Sequence, residues 1–84
     1  MEVRFTVTAH RDFVYWKKYD PRQVERIRNL CEDIALHPFE GIGKPEPLKY
    51  DFQGYWSRRI DRTHRLVYSV QDGEIIVISC RYHY

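Results

Sequence analysis

The sequence holds one carboxylate, Glu46, in a stretch of backbone that its two neighbours make stiff. Pro45 and Pro47 flank it, and each pyrrolidine ring restricts the φ angle of its own residue to about −65°. A carboxylate on such a backbone can be aimed at a substrate with little loss of conformational freedom, which suits a general base. A solvated glutamate in a loop would show the same pattern, so this candidate needs chemical partners.

Candidate partners lie in the second half of the chain, where basic side chains are in excess. Residues 43–84 hold seven basic and five acidic side chains, whereas residues 1–42 hold seven of each. Four arginines fall close together, at Arg58, Arg59, Arg62 and Arg65. Guanidinium groups bind phosphates, although arginines on a solvated strand and turn are the simpler alternative.

An imidazole at the end of the chain completes the candidate set. His83 is the penultimate residue and precedes Tyr84 with its terminal carboxylate. Histidine can serve as a general acid, and a polar chain end is the alternative interpretation. If Glu46, His83 and the arginines converge on one face, the combination predicts phosphoryl-transfer chemistry.

The histidines and cysteines predict neither a metal site nor a disulfide framework. His10, His37, His64 and His83 show no i, i+4 pairing, and Cys31 and Cys80 form no CxxC motif. Such spacings are typical of zinc sites and of disulfide-rich secreted domains. We therefore expect no metal, no cofactor and a reducing, cytoplasmic location. The N-terminus does not resemble a secretion signal, and no run of apolar residues is long enough to span a membrane, so we expect neither secretion nor membrane insertion.

With 84 residues and a mass of 10.3 kDa, the chain is long enough for one small domain and too short for two. Hydrophobic residues make up 43% and charged residues 31%, which excludes a disordered or low-complexity chain. The net charge of +2 is too balanced to indicate a nucleic-acid partner by itself. We expect residues 1–84 to form a single domain.

A strand and two helices are the first elements that must position these residues. Apolar and polar residues alternate over residues 3–7, which predicts a half-buried strand that ends near Thr8, with Thr8 capping the next helix. Apolar spacings of about three predict this helix over residues 9–19. The Asp-Pro pair at 20–21 is typical of a helix start, and the second helix should end before the His-Pro pair at 37–38.

The remainder of the chain is a loop followed by strands. Proline and glycine recur through residues 38–47, which predicts a constrained loop. Four strand-like runs follow, at residues 48–52, 55–60, 64–70 and 74–82. The order of strand, two helices and four strands predicts an α+β fold, in which an antiparallel sheet of four or five strands carries both helices on one face.

Alternation along the predicted strands assigns side chains to the two faces of this sheet. The set predicted to meet the helices contains Leu66, Tyr68, Val70, Ile76, Ile78, Cys80 and Tyr82. The opposite set contains Ser57, Arg59, Arg65, Ser69, Ser79, Arg81 and His83. We therefore expect one face of the sheet to be exposed and basic.

Four segments of the chain together resemble one protein family. They are PFEGIGKPEPLK at residues 38–49, GYWSRRI at 54–60, HRLVY at 64–68 and RYHY at 81–84. These segments look like those of the YoeB toxins, which belong to the RelE/ParE superfamily of bacterial toxin-antitoxin modules. The resemblance spans essentially the whole chain, and no functional position departs from the family's pattern.

The resemblance implies a RelE/ParE-like fold and a ribosome-dependent endonuclease that cuts messenger RNA in the ribosomal A site. It also implies a homodimer that a cognate antitoxin holds inactive. By position, it implies that Glu46 is the general base, that His83 is the general acid and that Arg65 stabilises the scissile phosphate. The other positions that it assigns are Lys49 and Arg59, which help hold the RNA, and Tyr84, which belongs to the catalytic site.

Elementary chemistry requires the same three roles for cutting RNA without a metal: a base for the 2'-hydroxyl, a cation over the phosphate and an acid for the departing oxygen. Two alternatives stay open. One is a non-catalytic ParE-like toxin that poisons a protein target such as gyrase. The other is an RNA-binding module in which tyrosines such as Tyr50 and Tyr55 stack on bases. Neither alternative requires a base, an acid and an arginine together.

Overall fold

The computed structural model of the protein describes residues 1–82, which form two helices packed on one face of a five-stranded sheet. In chain order the elements are β1 (Glu2–Phe5), α1 (Val7–Tyr19), α2 (Pro21–Leu36), β2 (Glu46–Pro47), a 3₁₀ turn (Tyr50–Phe52), β3 (Trp56–Arg59), β4 (Arg65–Gln71) and β5 (Glu74–Ser79). The strands lie side by side in the order β1-β5-β4-β3-β2. The predicted α+β class is confirmed.

The sheet is mixed, whereas the sequence predicted an antiparallel one. β1 pairs with β5 in parallel, and the other three pairs are antiparallel. A parallel pair needs a long crossover connection, and here α1, α2 and the strands β2 to β4 lie between the two partners. Alternation along a short strand indicates which of its faces is buried, but it does not indicate which strand is its neighbour. The pairing of β1 with β5 therefore could not be predicted from the local sequence.

The first helix begins two residues earlier than predicted because Thr6, not Thr8, is its cap. The Thr6 hydroxyl accepts a hydrogen bond from the N–H of Ala9 at 3.2 Å and donates one to the carbonyl of Ile78 at 3.0 Å. Thr6 therefore ties the helix start to β5, a contact that is invisible in the local sequence. The second helix is as predicted: it begins at Pro21 after the Asp20 cap and ends at Leu36.

The strand predicted over residues 48–52 is wrong. The chain pairs with β3 only at Glu46 and Pro47, which lie opposite Ser57 and Trp56, and it then turns into the 3₁₀ segment Tyr50–Phe52. Tyr50 has a φ angle of 57°, which an extended strand does not allow. A proline in β2 is tolerated because this strand forms the edge of the sheet.

The core lies between the helices and the sheet, and one strand faces it differently from the prediction. Leu66 and Tyr68 are fully buried as expected, but in β5 it is Ile75 and Val77 that are buried, not Ile76 and Ile78. Every residue from 75 to 78 is apolar, so alternation could not identify the inner face, and the pairing of β4 with β5 shifts register between Val67 and Tyr68. Such an irregularity reverses the faces that simple counting assigns.

The end of β5 also differs from the prediction, because the chain leaves the strand after Ser79. Cys80 is fully buried, as predicted, but Tyr82 is 56% exposed instead of meeting the helices. The N–H of Cys80 donates to the Asp12 carboxylate at 3.0 Å, and the carbonyl of Cys80 accepts from the indole of Trp16 at 2.8 Å. Helix α1 therefore fixes the backbone at Cys80, where the chain has just left β5.

Candidate active site on the open sheet face

The sheet register places the predicted base and the predicted arginine on the same face. Glu46 lies opposite Ser57 across β2 and β3, and Arg59 lies opposite Arg65 across β3 and β4. Directly opposed residues share a face, as do residues two apart along a strand. All four side chains therefore belong to the face that the helices do not cover. This was predicted for Ser57, Arg59 and Arg65, whereas Glu46 was predicted to lie in a loop. The prediction that this face is exposed is wrong in part, since Ser57 and Ser69 are buried and Arg65 is half-buried.

Arg65 is half-buried, with part of its hydrogen-bonding capacity unused within the described residues. Its Nε donates to the hydroxyl of Ser57 at 2.8 Å. Its Nη2 is buried without a hydrogen-bond partner among residues 1–82. A guanidinium held at one edge by Ser57 keeps a fixed orientation, and its planar fork suits recognition of a phosphate.

The described chain ends beside this arginine. The backbone N–H of Arg65 donates to the carbonyl of Tyr82 at 2.7 Å, and the N–H of Tyr82 donates to Nδ1 of His64 at 2.6 Å. Residue 82 is the last that the structure describes, so the predicted roles of His83 and Tyr84 fall outside the described residues. They stay predictions.

Lys49 and Arg59, the predicted RNA-holding residues, are both exposed. Lys49 lines a groove of about 750 Å³ formed by residues 46–52, together with Glu46. Tyr50 also lines this groove and is 91% exposed. The backbone of Arg59 is fixed, because its N–H donates to the carbonyl of Gly43 at 2.7 Å and its carbonyl accepts from Arg26 at 2.9 Å. The arginine's position relative to the preceding loop is thereby set.

Arg58 was grouped with the solvated arginines, and that interpretation is wrong. Its side chain is fully buried on the helix-facing side of β3 and forms an ion pair with Asp33. Its guanidinium also donates to three backbone carbonyls: that of His37, that of Glu40 at 2.8 Å and that of Ile42 at 3.1 Å. Alternation in β3 was the missed signal, because a strand that turns Ser57 and Arg59 outwards must turn residue 58 inwards.

This buried cluster anchors the loop that leads to Glu46. Tyr68 donates its hydroxyl hydrogen to the carbonyl of Pro38 at 2.6 Å and accepts from Nε of Arg58 at 3.3 Å. The hydrogen bond from Arg58 holds the pKa of Asp33 below its usual value, and burial raises the pKa of Tyr68. We call Asp33, Arg58 and Tyr68 the loop anchor. Every polar group that it binds lies between α2 and β2, just before the candidate base.

The two thiols are unsuited to nucleophilic chemistry. Burial, with a smaller contribution from Glu32, raises the pKa of Cys31 to about 12, and burial also raises the pKa of Cys80. Both thiols are free, and thiols with raised pKa values stay protonated near neutral pH. Across residues 1–82 there is no group of three histidine, cysteine or acidic side chains that could hold a metal ion. No helix in the same range is long and apolar enough to cross a membrane.

Comparison with known proteins identifies the family. The family model of the YoeB-like toxins of bacterial type II toxin-antitoxin systems matches residues 5–84. The chain belongs to this family. Toxin YoeB of Streptomyces coelicolor is 51% identical and Toxin YoeB of Escherichia coli is 52% identical, each over 84 residues that cover 100% of both chains. The resemblance seen in the sequence is thus confirmed.

Solved structures of YoeB-like toxins agree with the fold. A YoeB/ParE toxin from Agrobacterium tumefaciens superimposes with a TM-score of 0.96 at 46% identity and covers 100% of both chains. A YoeB-YefM complex from Staphylococcus aureus matches with a TM-score of 0.91 at 42% identity, and a YoeB dimer from that organism with 0.92 at 44%. Both cover 100% of this chain and 98% of the other.

Proposed function

We propose that this YoeB-like toxin is a ribosome-dependent endoribonuclease that cuts messenger RNA in the ribosomal A site and so inhibits translation. The observation that carries the proposal is the sheet register, which puts Glu46 and Arg65 on the sheet face opposite the helices. Membership of the toxin family supports the same conclusion. Residues 1–84 would form a single toxin domain and act in the cytoplasm, where ribosomes are found.

The proposed reaction is attack of an RNA hydroxyl on its own neighbouring phosphate. Glu46 accepts the proton of the 2'-hydroxyl, and the oxygen forms a bond to phosphorus. Arg65 stabilises the charge that develops on the pentacovalent phosphate. His83 donates a proton to the departing 5'-oxygen as the phosphorus–oxygen bond breaks, with Tyr84 completing the site. The upstream fragment then ends in a 2',3'-cyclic phosphate, and the downstream fragment begins with a 5'-hydroxyl.

Side chains fill every role in this cleavage, so the proposal assigns no metal ion and no cofactor. Lys49 and Arg59 hold the RNA through its phosphates, since both are cationic and exposed beside the site. With a net charge of only +2, the protein has a weak general attraction for RNA. Alignment of the messenger by the ribosome would supply the missing orientation, which gives ribosome dependence a physical reason.

The proposal includes two protein partners. The structures of a YoeB-YefM complex and of a YoeB dimer, both from Staphylococcus aureus, support a cognate antitoxin and a homodimer for this chain. We expect the antitoxin to use an acidic, partly disordered segment that covers the face carrying Arg59, Arg65 and His83. If antitoxin left Arg65 as accessible as in the free toxin, this mode of inhibition would be wrong.

The decisive experiment follows the ends of the cut RNA. Ribosomes programmed with a defined messenger are mixed with purified toxin, and the two new ends are analysed chemically. A matched messenger carries a single 2'-deoxy nucleotide before the cut, which removes the nucleophile but leaves the phosphate contacts. We expect a cyclic phosphate and a 5'-hydroxyl from the first messenger and no cleavage of the second. A 5'-phosphate, or efficient cutting of the deoxy messenger, would show that water is the nucleophile.

Variants of the candidate residues test the assignment of roles. We expect Glu46→Ala, Arg65→Ala and His83→Ala each to abolish growth arrest while the protein stays folded, because none of these residues was assigned to the core. Thermal unfolding of each variant is the control. Growth arrest by a soluble His83→Ala protein would remove the general acid from the mechanism. Growth arrest with intact messenger RNA would favour a protein target such as gyrase.

A further inference from the structure

His64 and Arg65, two consecutive residues, bind both backbone polar groups of Tyr82. Nδ1 of His64 accepts from the N–H of Tyr82 at 2.6 Å, and the N–H of Arg65 donates to the carbonyl of Tyr82 at 2.7 Å. The proposed reaction gives His64 no part. Its imidazole is nevertheless half-buried and makes a specific polar contact with Tyr82, the residue before His83.

The hydrogen bond defines the chemical state of the imidazole. A backbone N–H can only donate, so Nδ1 of His64 must be unprotonated and the ring proton must be on Nε2. The ring is also oriented by packing, since the Trp16 ring meets it edge-on with centroids 4.7 Å apart. The backbone of His64 is held as well, because its N–H donates to the Asp61 carboxylate at 2.7 Å and its carbonyl accepts from Ile60 at 2.9 Å.

Tyr82 needs such support because its backbone is unfavourable. Its φ angle is 60°, in the left-handed region that residues other than glycine rarely adopt. The guanidinium of Arg81 stacks on the Tyr15 ring at 3.5 Å and on the Tyr82 ring at 4.6 Å, and it donates to the Tyr82 hydroxyl at 2.8 Å. The left-handed turn directs the chain from buried Cys80 back to Arg65. Contacts from the neighbouring elements therefore maintain a strained turn directly before His83, which is where strain often serves function.

We propose that His64 is a positioning residue: through its Nδ1 it fixes Tyr82, and so fixes where the chain continues to His83 relative to Arg65. This inference rests on the proposed function, because it assumes that His83 must meet the phosphate that Arg65 holds. Its physical basis is that a general acid displaced by about 1 Å can lose on the order of 10²-fold in rate. His64 does not touch the RNA in this scheme.

Two variants separate the acceptor atom from the ring. His64→Asn keeps an acceptor, because its side-chain oxygen occupies nearly the same place as Nδ1, but it loses the ring that packs on Trp16. His64→Phe keeps an aromatic ring and loses the acceptor. Each is compared with wild type by amide hydrogen exchange at Tyr82, by thermal unfolding, and by kcat and KM for cleavage on programmed ribosomes.

For His64→Phe we expect exchange at the Tyr82 N–H to rise at least about 10-fold and kcat to fall about 10- to 100-fold, with KM within about 3-fold of wild type. For His64→Asn we expect exchange and kcat within about 5-fold of wild type, even if thermal stability is lower. If the protein needed only the aromatic ring at position 64, His64→Asn would lose more kcat and more amide protection than His64→Phe. Rescue by asparagine is therefore the discriminating result.

Three results would overturn the inference: an unchanged kcat in His64→Phe, a protected Tyr82 N–H in that variant, or an equal loss of kcat in both variants. Failure of the proposed function looks different. If wild-type toxin does not cut RNA on ribosomes, that function is wrong, whereas the exchange rates at Tyr82 still report whether His64 holds the segment.

Discussion

Arg58 and Arg65 lie on adjacent strands and on opposite faces of the sheet, and they differ in how their guanidinium groups are satisfied. Arg58 is fully buried and binds one carboxylate, three backbone carbonyls and one hydroxyl. Arg65 binds the hydroxyl of Ser57, and its buried Nη2 has no partner within residues 1–82. The first arginine is saturated by its own protein, whereas the second has a buried donor that no residue in the range 1–82 binds.

The contrast shows how one residue type serves stability on one face and chemistry on the other. A buried charge is tolerated only when partners surround it. For Arg58 these partners are the side chains of Asp33 and Tyr68 and three carbonyls of the loop that follows α2. A guanidinium on the face opposite the helices lies outside the apolar core, where binding of an anion such as a phosphate stabilises its charge. Five predictions test this division, beginning with the largest effect.

The largest effect is expected where the anchor loses its charge. Arg58→Met should lower the free energy of unfolding by about 3–5 kcal/mol, because it leaves the Asp33 carboxylate and three carbonyls without their donor. Chemical denaturation measures this quantity. Arg59→Met, one residue away and exposed, is the matched control and should change it by about 0.5 kcal/mol at most. Equal effects from the two variants would refute a structural role specific to residue 58.

On the face opposite the helices, replacing an arginine should reduce activity more than stability. Arg65→Met is expected to lower kcat/KM for messenger cleavage by about 10²- to 10³-fold, as when one donor to a developing charge is removed. Its free energy of unfolding should change by about 1 kcal/mol, the value of its bond to Ser57. Denaturation and ribosome-based cleavage are measured on the same preparation. A large loss of stability with full activity in the surviving folded fraction would make Arg65 structural.

A smaller effect is expected where the anchored loop passes close to Asp33. A Cβ at Gly41 would lie 2.0 Å from a carboxylate oxygen of Asp33, whereas one at Gly54 would meet nothing within 4 Å. Both glycines have positive φ angles, 124° and 99°, so both alanine variants share the backbone cost of about 1–2 kcal/mol. Gly41→Ala should destabilise the protein by about 1–3 kcal/mol more than Gly54→Ala, since the clash is additional.

The Gly41→Ala variant also tests whether the loop anchor positions the candidate base. We expect its cleavage rate to fall more than that of Gly54→Ala at a temperature where both are folded, because the loop leads directly to Glu46. Cleavage assays well below the unfolding midpoint provide the comparison. If the two variants cleave equally fast, the anchor stabilises the fold without orienting Glu46.

The smallest effect concerns acid pH. Arg58 holds the pKa of Asp33 below its ordinary value of 3.8, so the folded protein binds fewer protons than the unfolded chain. The resulting stability is complete above that ordinary value and is lost as pH falls through the lower pKa of the folded state. Asp33→Asn should therefore show a shallower acid loss of stability than wild type, while Asp72→Asn in an exposed turn should not. Identical acid slopes for wild type and Asp33→Asn would contradict this linkage.

The sequence alone was sufficient wherever a signal depends on neighbouring residues. The second helix was predicted from its Asp20 cap and Pro21, and the β4–β5 turn from Asp72 and Gly73, whose φ angles are 51° and 78°. Both signals are local, because a cap or a primed turn needs only the residues within it. The toxin family was likewise identified from contiguous motifs. The candidate base and arginine were predicted as site residues, and the register brings them to one face.

Only the tertiary structure decided which face of the sheet a side chain lies on when its strand shows no alternation of apolar and polar residues. The inner face of β5 could not be inferred because four successive apolar residues carry no alternation, and packing against the helices selected Ile75 and Val77. The cap at Thr6 depends on Ile78, 72 residues away. Arg58 depends on Asp33, 25 residues away. A buried charge is compatible with folding only if polar groups bind it, and here those groups are distant in sequence. The local sequence pattern does not show which distant residues the fold will bring into contact.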